Sequence, residues 1–343
     1  MQSVILAAGR STRTFPLTLT RPKPLLKIAN KTILEYNIEA LTEISDEIIL
    51  VLGYKKEMMQ KFIKEKFKSL NIKIIEQKEQ LGTGHAVSIL EKRIKDRFLL
   101  LMGDNVYSKE DVKEIAKHQY SILAKKVKNP EIFGVIIEKN GLVTDIIEKP
   151  KNPPSSLVSC ALYSFDKKIF ELLKQLKKSE RNEYEITDAV KELANQGSMH
   201  CIKSSSCLQI SYPWDLLEAD MEIRKGKNSI GKNLELSGKV ENSSIGDNCS
   251  IKGNVKNSII MDNSTIETGS IIENSIIGES VYFKGTAKSK TNAVSMIKEK
   301  PISAGTLGAI IGDNVIAEDV NITPGCKIWP NRSISGEIKK DIQ

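Results

Sequence analysis

The chain has 343 residues, 40% apolar and 27% charged, close to globular averages and unlike a disordered chain; no run reaches the ~18 apolar residues that a membrane-spanning helix needs. Five scattered cysteines, Cys160, Cys201, Cys207, Cys249 and Cys326, form no CxxC pair, which excludes a disulfide framework and a zinc knuckle. The net charge of +8 admits nucleic acid, an acidic membrane surface or small anions as partners. From Gly226 onward 14 basic residues face 13 acidic ones, so seven of the eight net charges lie earlier and anion binding belongs there. At roughly 100–200 residues per domain the length predicts two domains.

The opening MQSVILAAGR has no basic region before its apolar run, so it reads as a first strand and not a secretory signal, which predicts a cytoplasmic chain. SVILAAG, EIILVLG, NIKIIEQ and RFLLLMGD follow as buried strands, with helical spacing between them in KKEMMQKFIKEKFKSL and HAVSILEKRI. This is the βαβ rhythm of an α/β domain with a mostly parallel, Rossmann-like sheet. Strands over 133–138, Leu142–Glu148 and Leu157–Phe165 come next, then helices near 167–178, 185–196 and 214–224.

Beyond residue 225 the period becomes six. Ile310, Ile316, Ile322, Ile328 and Ile334 recur every sixth residue, and Ile230/Leu236, Ile245/Ile251 and Ile260/Ile266/Ile272 repeat the step. Such a hexapeptide repeat predicts a left-handed parallel β-helix in which each face turns one aliphatic side chain inward, with Gly and Asn at the corners. The period lapses over 284–305, a loop thrown out of the stack. The expected domains are therefore 1–225 and 226–343.

The densest chemical signal is LAAGRSTRTFPLTLTRPKPLLKI, residues 6–28. A glycine-bearing turn after the first strand lets backbone N–H groups approach phosphates, and Arg10, Arg13, Arg21 and Lys23 add fixed positive charge. Three of the chain's eight arginines fall within the twelve residues 10–21, which suggests bidentate phosphate recognition. Asp104 ends the strand RFLLLMGD, where open α/β sheets bind ligands, and Mg²⁺ prefers a few hard carboxylate oxygens plus phosphates and water. His85 has the chemistry of a general base, but a nucleophile that is already ionised needs none.

Residues 6–28 resemble the signature loop of the sugar-1-phosphate nucleotidylyltransferases, L-A-A-G-x-G-T-R-x-x-P-L-T-x-x-x-P-K-P-L, with Ser11 in place of the second glycine. The likeness runs along nearly the whole chain and approaches archaeal two-domain UDP-N-acetylglucosamine and UDP-glucose pyrophosphorylases. It implies that Leu6, Ala7, Ala8, Gly9 and Arg13 wrap a nucleoside triphosphate, with Arg13 and Lys23 at the reacting phosphates. EQKEQLGTGHAV, residues 76–87, resembles the nucleobase segment and implies that Gln77, Gly82 and Thr83 read the base; its GTGHA form favours uridine. The family's G-D motif makes Asp104 the metal ligand, and Gln209 stands where many members have a second aspartate. On the sugar side the resemblance implies Gly134, Glu148 for sugar hydroxyls and Lys149 for the sugar phosphate. Ser159 replaces an asparagine that contacts the sugar, and Ala161 a neighbouring glycine.

The resemblance thus implies a Mg²⁺-dependent enzyme that joins an NTP, UTP or dTTP, to glucose- or N-acetylglucosamine-1-phosphate and releases pyrophosphate. No nucleic acid or membrane partner is expected, and the β-helix is expected to build a homo-oligomer. Rival readings are a bifunctional uridylyltransferase/acetyltransferase, a mannose-1-phosphate guanylyltransferase and a non-catalytic regulatory subunit. Acetyl transfer on β-helices of this kind uses a histidine base, whereas the three histidines here, His85, His118 and His200, all precede the repeat.

Overall fold

A computed structural model describes residues 1–204 and 206–343. The chain packs as two compact units, one of Met1–Arg10 with Leu34–Gln209, the other of Ser11–Ile33 with Ile210–Gln343. The expected boundary at 225/226 tracks a change of sequence period; by packing, the signature loop and the last helix go with the repeat. Among the described residues no helix is long and apolar enough to cross a membrane.

The first unit is built on nine strands: β1 Gln2–Ala7, β2 Glu47–Leu52, β3 Ile72–Glu76, β4 Phe98–Met102, β5 Ser121–Lys126, β6 Gly134–Lys139, β7 Leu142–Glu148, β8 Leu157–Phe165 and β9 His200–Lys203. Their order across the sheet is β3-β2-β1-β4-β8-β5-β9-β7-β6. β1 pairs in parallel with β2 and β4, and β2 with β3, which is the arrangement that the βαβ rhythm predicts. From β8 onward most pairings are antiparallel, since β6 and β7 form a hairpin and β8 runs against β4 and β5.

Alternation along the strands sorts the core. Val4, Leu6, Ile49, Val51, Phe98 and Leu100 share one cluster with α3 (Thr83–Ser88), α5 (Lys168–Leu173) and α6 (Ile186–Asn195). Helix α6 supplies Ile186, Ala189, Val190, Leu193 and Ala194, the i, i+3, i+4, i+7, i+8 spacing of a single apolar stripe. Helices α1 (Ile33–Leu41) and α2 (Lys56–Lys66) fill the crossovers β1 to β2 and β2 to β3. Helix α4 (Lys109–Ala116) lies against β5 and β8, and its first turn is capped by Ser108, whose hydroxyl accepts from Asp111 N at 3.0 Å. The helix expected over HAVSILEKRI is shorter than its pattern: regular α-structure ends at Ser88 and turns carry the chain to Ile94.

In the second unit α7 (Asp215–Arg224) leads into a parallel β-helix. One ladder runs Ser229–Ile230, Ser244–Ile245, Ile259–Ile260, Ile276–Ile277, Ile310–Ile311 and Lys327–Ile328. Ser244 pairs with Ile259 and Ile259 with Ile276, so successive coils take 15 and then 17 residues. At the corners asparagines sit at positive φ and stack: Asn233 Nδ2 donates to Asn248 Oδ1 at 2.9 Å, and Asn248 to Asn263 at 3.1 Å. Asparagine tolerates the left-handed conformation, and its amide replaces corner solvent with a ladder of hydrogen bonds.

Two details depart from the strict six-residue reading. Ile316 is 48% exposed while Ala317 is fully buried, because Ala317 pairs with Phe283 in the inward register and Ile316 with Tyr282 in the outward one; after a shift between Glu318 and Val320, Ile322 is buried again. Ile230 and Leu236 are also exposed, since the first coil has no preceding coil to cover it. The expected loop over 284–305 starts later: the strand Tyr282–Ala287 stays in the sheet, and the chain then forms a hairpin of Val294–Ile297 with Lys300–Ser303.

Candidate active site

In the first unit the candidate residues gather at the carboxyl ends of β1 to β4. After β1, Ala8 O accepts from Tyr54 N at 3.0 Å and from Gln80 Nε2 at 2.8 Å, and Gly103 N donates to Leu6 O at 2.8 Å. These bonds fix the backbone of Leu6, Ala7, Ala8 and Gly9 against its neighbours. A Cβ on Gly53 would meet Ala8 O at 2.8 Å, so β2 ends in glycine where the two turns touch.

Gln77 is buried, its N–H donating to Leu52 O at 2.8 Å. Its Nε2 lies 3.2 Å from Gly82 O and 3.1 Å from His85 Nδ1, which leaves the Oε1 acceptor for a ligand edge. His85 Nδ1 thus orients the Gln77 amide. Thr83 Oγ1 accepts from Ile186 N at 3.1 Å and ties α3 to the start of α6.

Asp104 follows β4 in a short turn. Next to it Asn105 pairs in antiparallel register with Gln209, which brings Gln209 to the same strand end. Gln209 Nε2 donates to Ser159 O at 2.9 Å and keeps its amide oxygen available. No group of three His, Cys, Asp or Glu side chains among the described residues could hold a metal alone. One carboxylate and one amide oxygen nevertheless fit a hard cation that completes its shell with phosphates and water.

The sugar-side candidates converge as well. Gly134 and Glu148 are opposite one another in the β6–β7 hairpin, and a Cβ on Gly134 would stand 3.3 Å from Glu148 Oε2. Glu148 Oε1 accepts from Lys149 Nζ at 2.7 Å and from Arg181 Nη2 at 3.2 Å. Arg181 also reaches Glu185 at 2.7 Å, and sequence reasoning missed it. Its signal was present: an arginine in a lysine-rich chain, two residues before EYEITDAV. Burial, then the charges of Glu185 and Glu148, raise the Asp188 carboxyl above its usual range.

Ser159 is held by the backbone and by a neighbouring ring. Its buried hydroxyl accepts from Ala161 N at 3.0 Å and lies 3.1 Å from Tyr163 Oη, stabilising a register break in β8. At that break Ala161 has φ 54°, a left-handed conformation for which the family's glycine is suited.

The second unit holds Arg13 and Lys23, and each is described there. Ser11, also at a family glycine position, takes φ 51°, and its carbonyl accepts from Thr14 Oγ1 at 2.7 Å and Thr18 Oγ1 at 2.9 Å. The exposed Arg13 guanidinium lies 5.9 Å from the ring centroid of Tyr212, which stacks on Trp214. Lys23 is buried, its ammonium donating to Ile210 O.

Arg21 corrects the sequence reading. It is buried and spends its guanidinium on Glu279 and Asp313 of the β-helix. Burial opposes its charge, but the Glu279 hydrogen bond and the fields of Asp313 and Glu279 outweigh it and raise the pKa further. Lys27 pairs with Asp262, Thr20 Oγ1 donates to Asp313 at 2.6 Å, and Asn30 Nδ2 donates to Ile245 O at 2.8 Å. The signature loop is therefore fastened to the edge of the repeat stack, where Asp247, Asp262 and Asp313 each accept a backbone N–H from the coil before.

A family model described as nucleotidyl transferase matches residues 2–223, and one described as GMPPB C-terminal domain matches residues 228–342. The chain belongs to the nucleotidyl transferase family. Bifunctional protein GlmU of Methanocaldococcus jannaschii is 39% identical over 246 residues, covering 71% of this chain; the chain spans 58% of that relative's length. Bifunctional protein GlmU of Methanococcus maripaludis strain C7 is 36% identical over 398 aligned positions, covering 100% of this chain and 96% of the other. A crystal structure of UDP-glucose pyrophosphorylase complexed with UDP-glucose matches the fold with a TM-score of 0.60, over 66% of this chain and 99% of that one, at 24% identity. Members of the family generally use a divalent metal.

Proposed function

We propose that this protein transfers a uridylyl group, or a thymidylyl group as the second choice, from the NTP to glucose- or N-acetylglucosamine-1-phosphate. The observation that carries the reading is the backbone of residues 6–9, the Gln77 acceptor and Asp104 at the carboxyl ends of their strands, with Gln209 paired to Asn105 next to Asp104, together with the Glu148–Lys149–Arg181 cluster. A Gln acceptor beside Gly82 suits the imide N–H of uracil or thymine, which supports the pyrimidine assignment.

In this reading the sugar phosphate oxygen attacks the α-phosphorus in line, and pyrophosphate leaves. Lys149, close to Glu148, holds the sugar phosphate while Glu148 accepts sugar hydroxyls. Arg13 and Lys23 offset the charge that builds on the phosphates, so catalysis is positioning plus electrostatics. Asp104 with the Gln209 oxygen would hold Mg²⁺, which supplies charge neutralisation across the phosphates when bound. Nucleotidyl transfer belongs to residues 1–225, and residues 226–343 form the repeat domain of a cytoplasmic homo-oligomer. That domain contains no histidine, which supports an absence of acetyl transfer.

The test is pyrophosphate release from UTP, dTTP, GTP, ATP and CTP against glucose-, N-acetylglucosamine- and mannose-1-phosphate. Preference for UTP or dTTP with one of the first two sugars is expected; silence across the matrix would make the chain a regulatory subunit. Acetyl-CoA turnover with glucosamine-1-phosphate above a no-enzyme control would overturn the reading of the second domain.

A further inference from the structure

The hairpin that interrupts the repeat, the last coil and the C-terminal residues enclose a cavity of about 830 Å³. That is within the range of small-molecule sites, about 300–1,000 Å³. A stack of coils needs no such insertion to close its core. The hairpin leaves Val294 and Met296 at 54% and 41% exposure on the cavity wall, and its tip residues Lys298 and Glu299 take φ 49° and 65°. Two consecutive positive φ values make a turn that Asn-Gly ordinarily fills, so the tip carries local strain while presenting two long charged side chains to the cavity.

The walls are firmly held. At Gly325, φ 92°, a Cβ would meet Val294 O at 2.2 Å, so the last coil abuts the hairpin. Ile342 N donates to Lys327 O at 2.9 Å and Trp329 N to Ile342 O at 2.8 Å, which folds the C-terminal segment back across the opening. Buried Lys327 is satisfied by Met296 O and Asp341 and lies 5.5 Å from the Trp329 ring centroid. Among the described residues Lys298, Lys339 and Lys340 enter no ion pair, and of the lining carboxylate side chains Asp341 is engaged by Lys327, which leaves Glu299. The remaining lining therefore combines a net positive charge with the rings of Trp329 and Phe15. Phe15 and Thr12, which also line the cavity, flank Arg13 and Thr14 in the signature loop.

We propose that this cavity binds a small phosphorylated molecule with a flat ring, of the nucleotide class, and that occupancy adjusts the loop carrying Arg13. Phosphate engages Lys298, Lys339 and Lys340, while the ring rests against Trp329 and Phe15. The effect on turnover rests on the nucleotidyl-transfer reading; the binding does not.

The experiment titrates UDP, uridine and inorganic pyrophosphate into the full chain by calorimetry, alongside the variant Lys298→Ala/Lys339→Ala/Lys340→Ala. These lysines lie outside the proposed catalytic set, and matching melting curves check that the variant folds. Two UDP sites per chain are expected, the variant losing one of them by at least tenfold in affinity, with pyrophosphate weaker than UDP and uridine weakest. UDP binding that the variant leaves undiminished in both number of sites and affinity, or no UDP binding in the parent, overturns the proposal; a single parent site that the variant loses keeps it and counts against the catalytic reading. In steady state UDP should lower kcat in the parent and act only on the KM for UTP in the variant; purely competitive inhibition in both would refute the coupling. A silent turnover matrix with the second UDP site intact removes the catalytic reading and leaves the cavity's ligand standing.

Discussion

Replacing Asp313 tests whether the signature loop depends on the β-helix. The Asp313 side chain is 7% exposed and Arg21 9%, so solvent screens their pair very little. Asp313→Ala would strand the Arg21 guanidinium against Glu279 alone and remove the acceptors of Thr20 Oγ1 and Glu279 N. Breaking a buried pair by removing one partner costs about 3–5 kcal/mol, a large part of a typical stability of about 5–15 kcal/mol. Two compact units make a single global transition a poor measure, so native-state hydrogen exchange over residues 17–28 is the assay. Exchange there should quicken by roughly two to four orders of magnitude, with little change in β1–β4. The double variant Arg21→Met/Asp313→Ala should recover part of the loss, because the orphaned charge goes too. A single-variant cost below about 1 kcal/mol, or a double variant equal to the sum of its parts, would refute the reasoning.

Arg13→Ala and Asp104→Ala should each lower turnover on the order of 10²–10⁴-fold in the pyrophosphate assay; near-parental rates in either would show that the residues are wrongly assigned. Ala161→Gly should raise stability by about 1 kcal/mol, seen as a higher Tm, because it relieves the left-handed conformation at φ 54°. His118 and His200 stack with centroids 4.1 Å apart; burial, then His200, lowers the His118 pKa below 6.5. Below pH 6.5 the unfolded chain takes up a proton that folded His118 resists, so this site makes stability fall as pH drops towards the folded value. NMR titration should find His118 below 6.5, moving upward in His200→Gln; no movement would leave burial as the whole cause.

Local patterns in the sequence determined the element order. Apolar runs ending in glycine define β1, β2 and β4, since a strand buried on both faces must be continuously apolar, whereas β3 at the sheet edge carries Lys73 and is only half-buried. The six-residue step identified the β-helix, because neither a helix nor an alternating strand produces that period. The strand-end carboxylate Asp104, the E-K pair Glu148–Lys149 and the Gln77 segment were legible for the same reason, each defined by a few contiguous residues. What the sequence left undecided depends on partners far along the chain. Arg21 reads as one more phosphate-binding cation, yet its partners Glu279 and Asp313 lie 258 and 292 residues away. Ser159 and Ala161 read as altered sugar contacts, and only the register break in β8 shows one hydroxyl holding the backbone of the other. Ile316 fits the period and still faces solvent, because the coil register turns its neighbour Ala317 inward beneath Phe283, and residues next to each other in a strand face opposite sides. Periodicity is a property of neighbouring residues; the assignment of charges and the facing of side chains are settled where distant segments meet, by which burial and which ion pairs the packed chain allows.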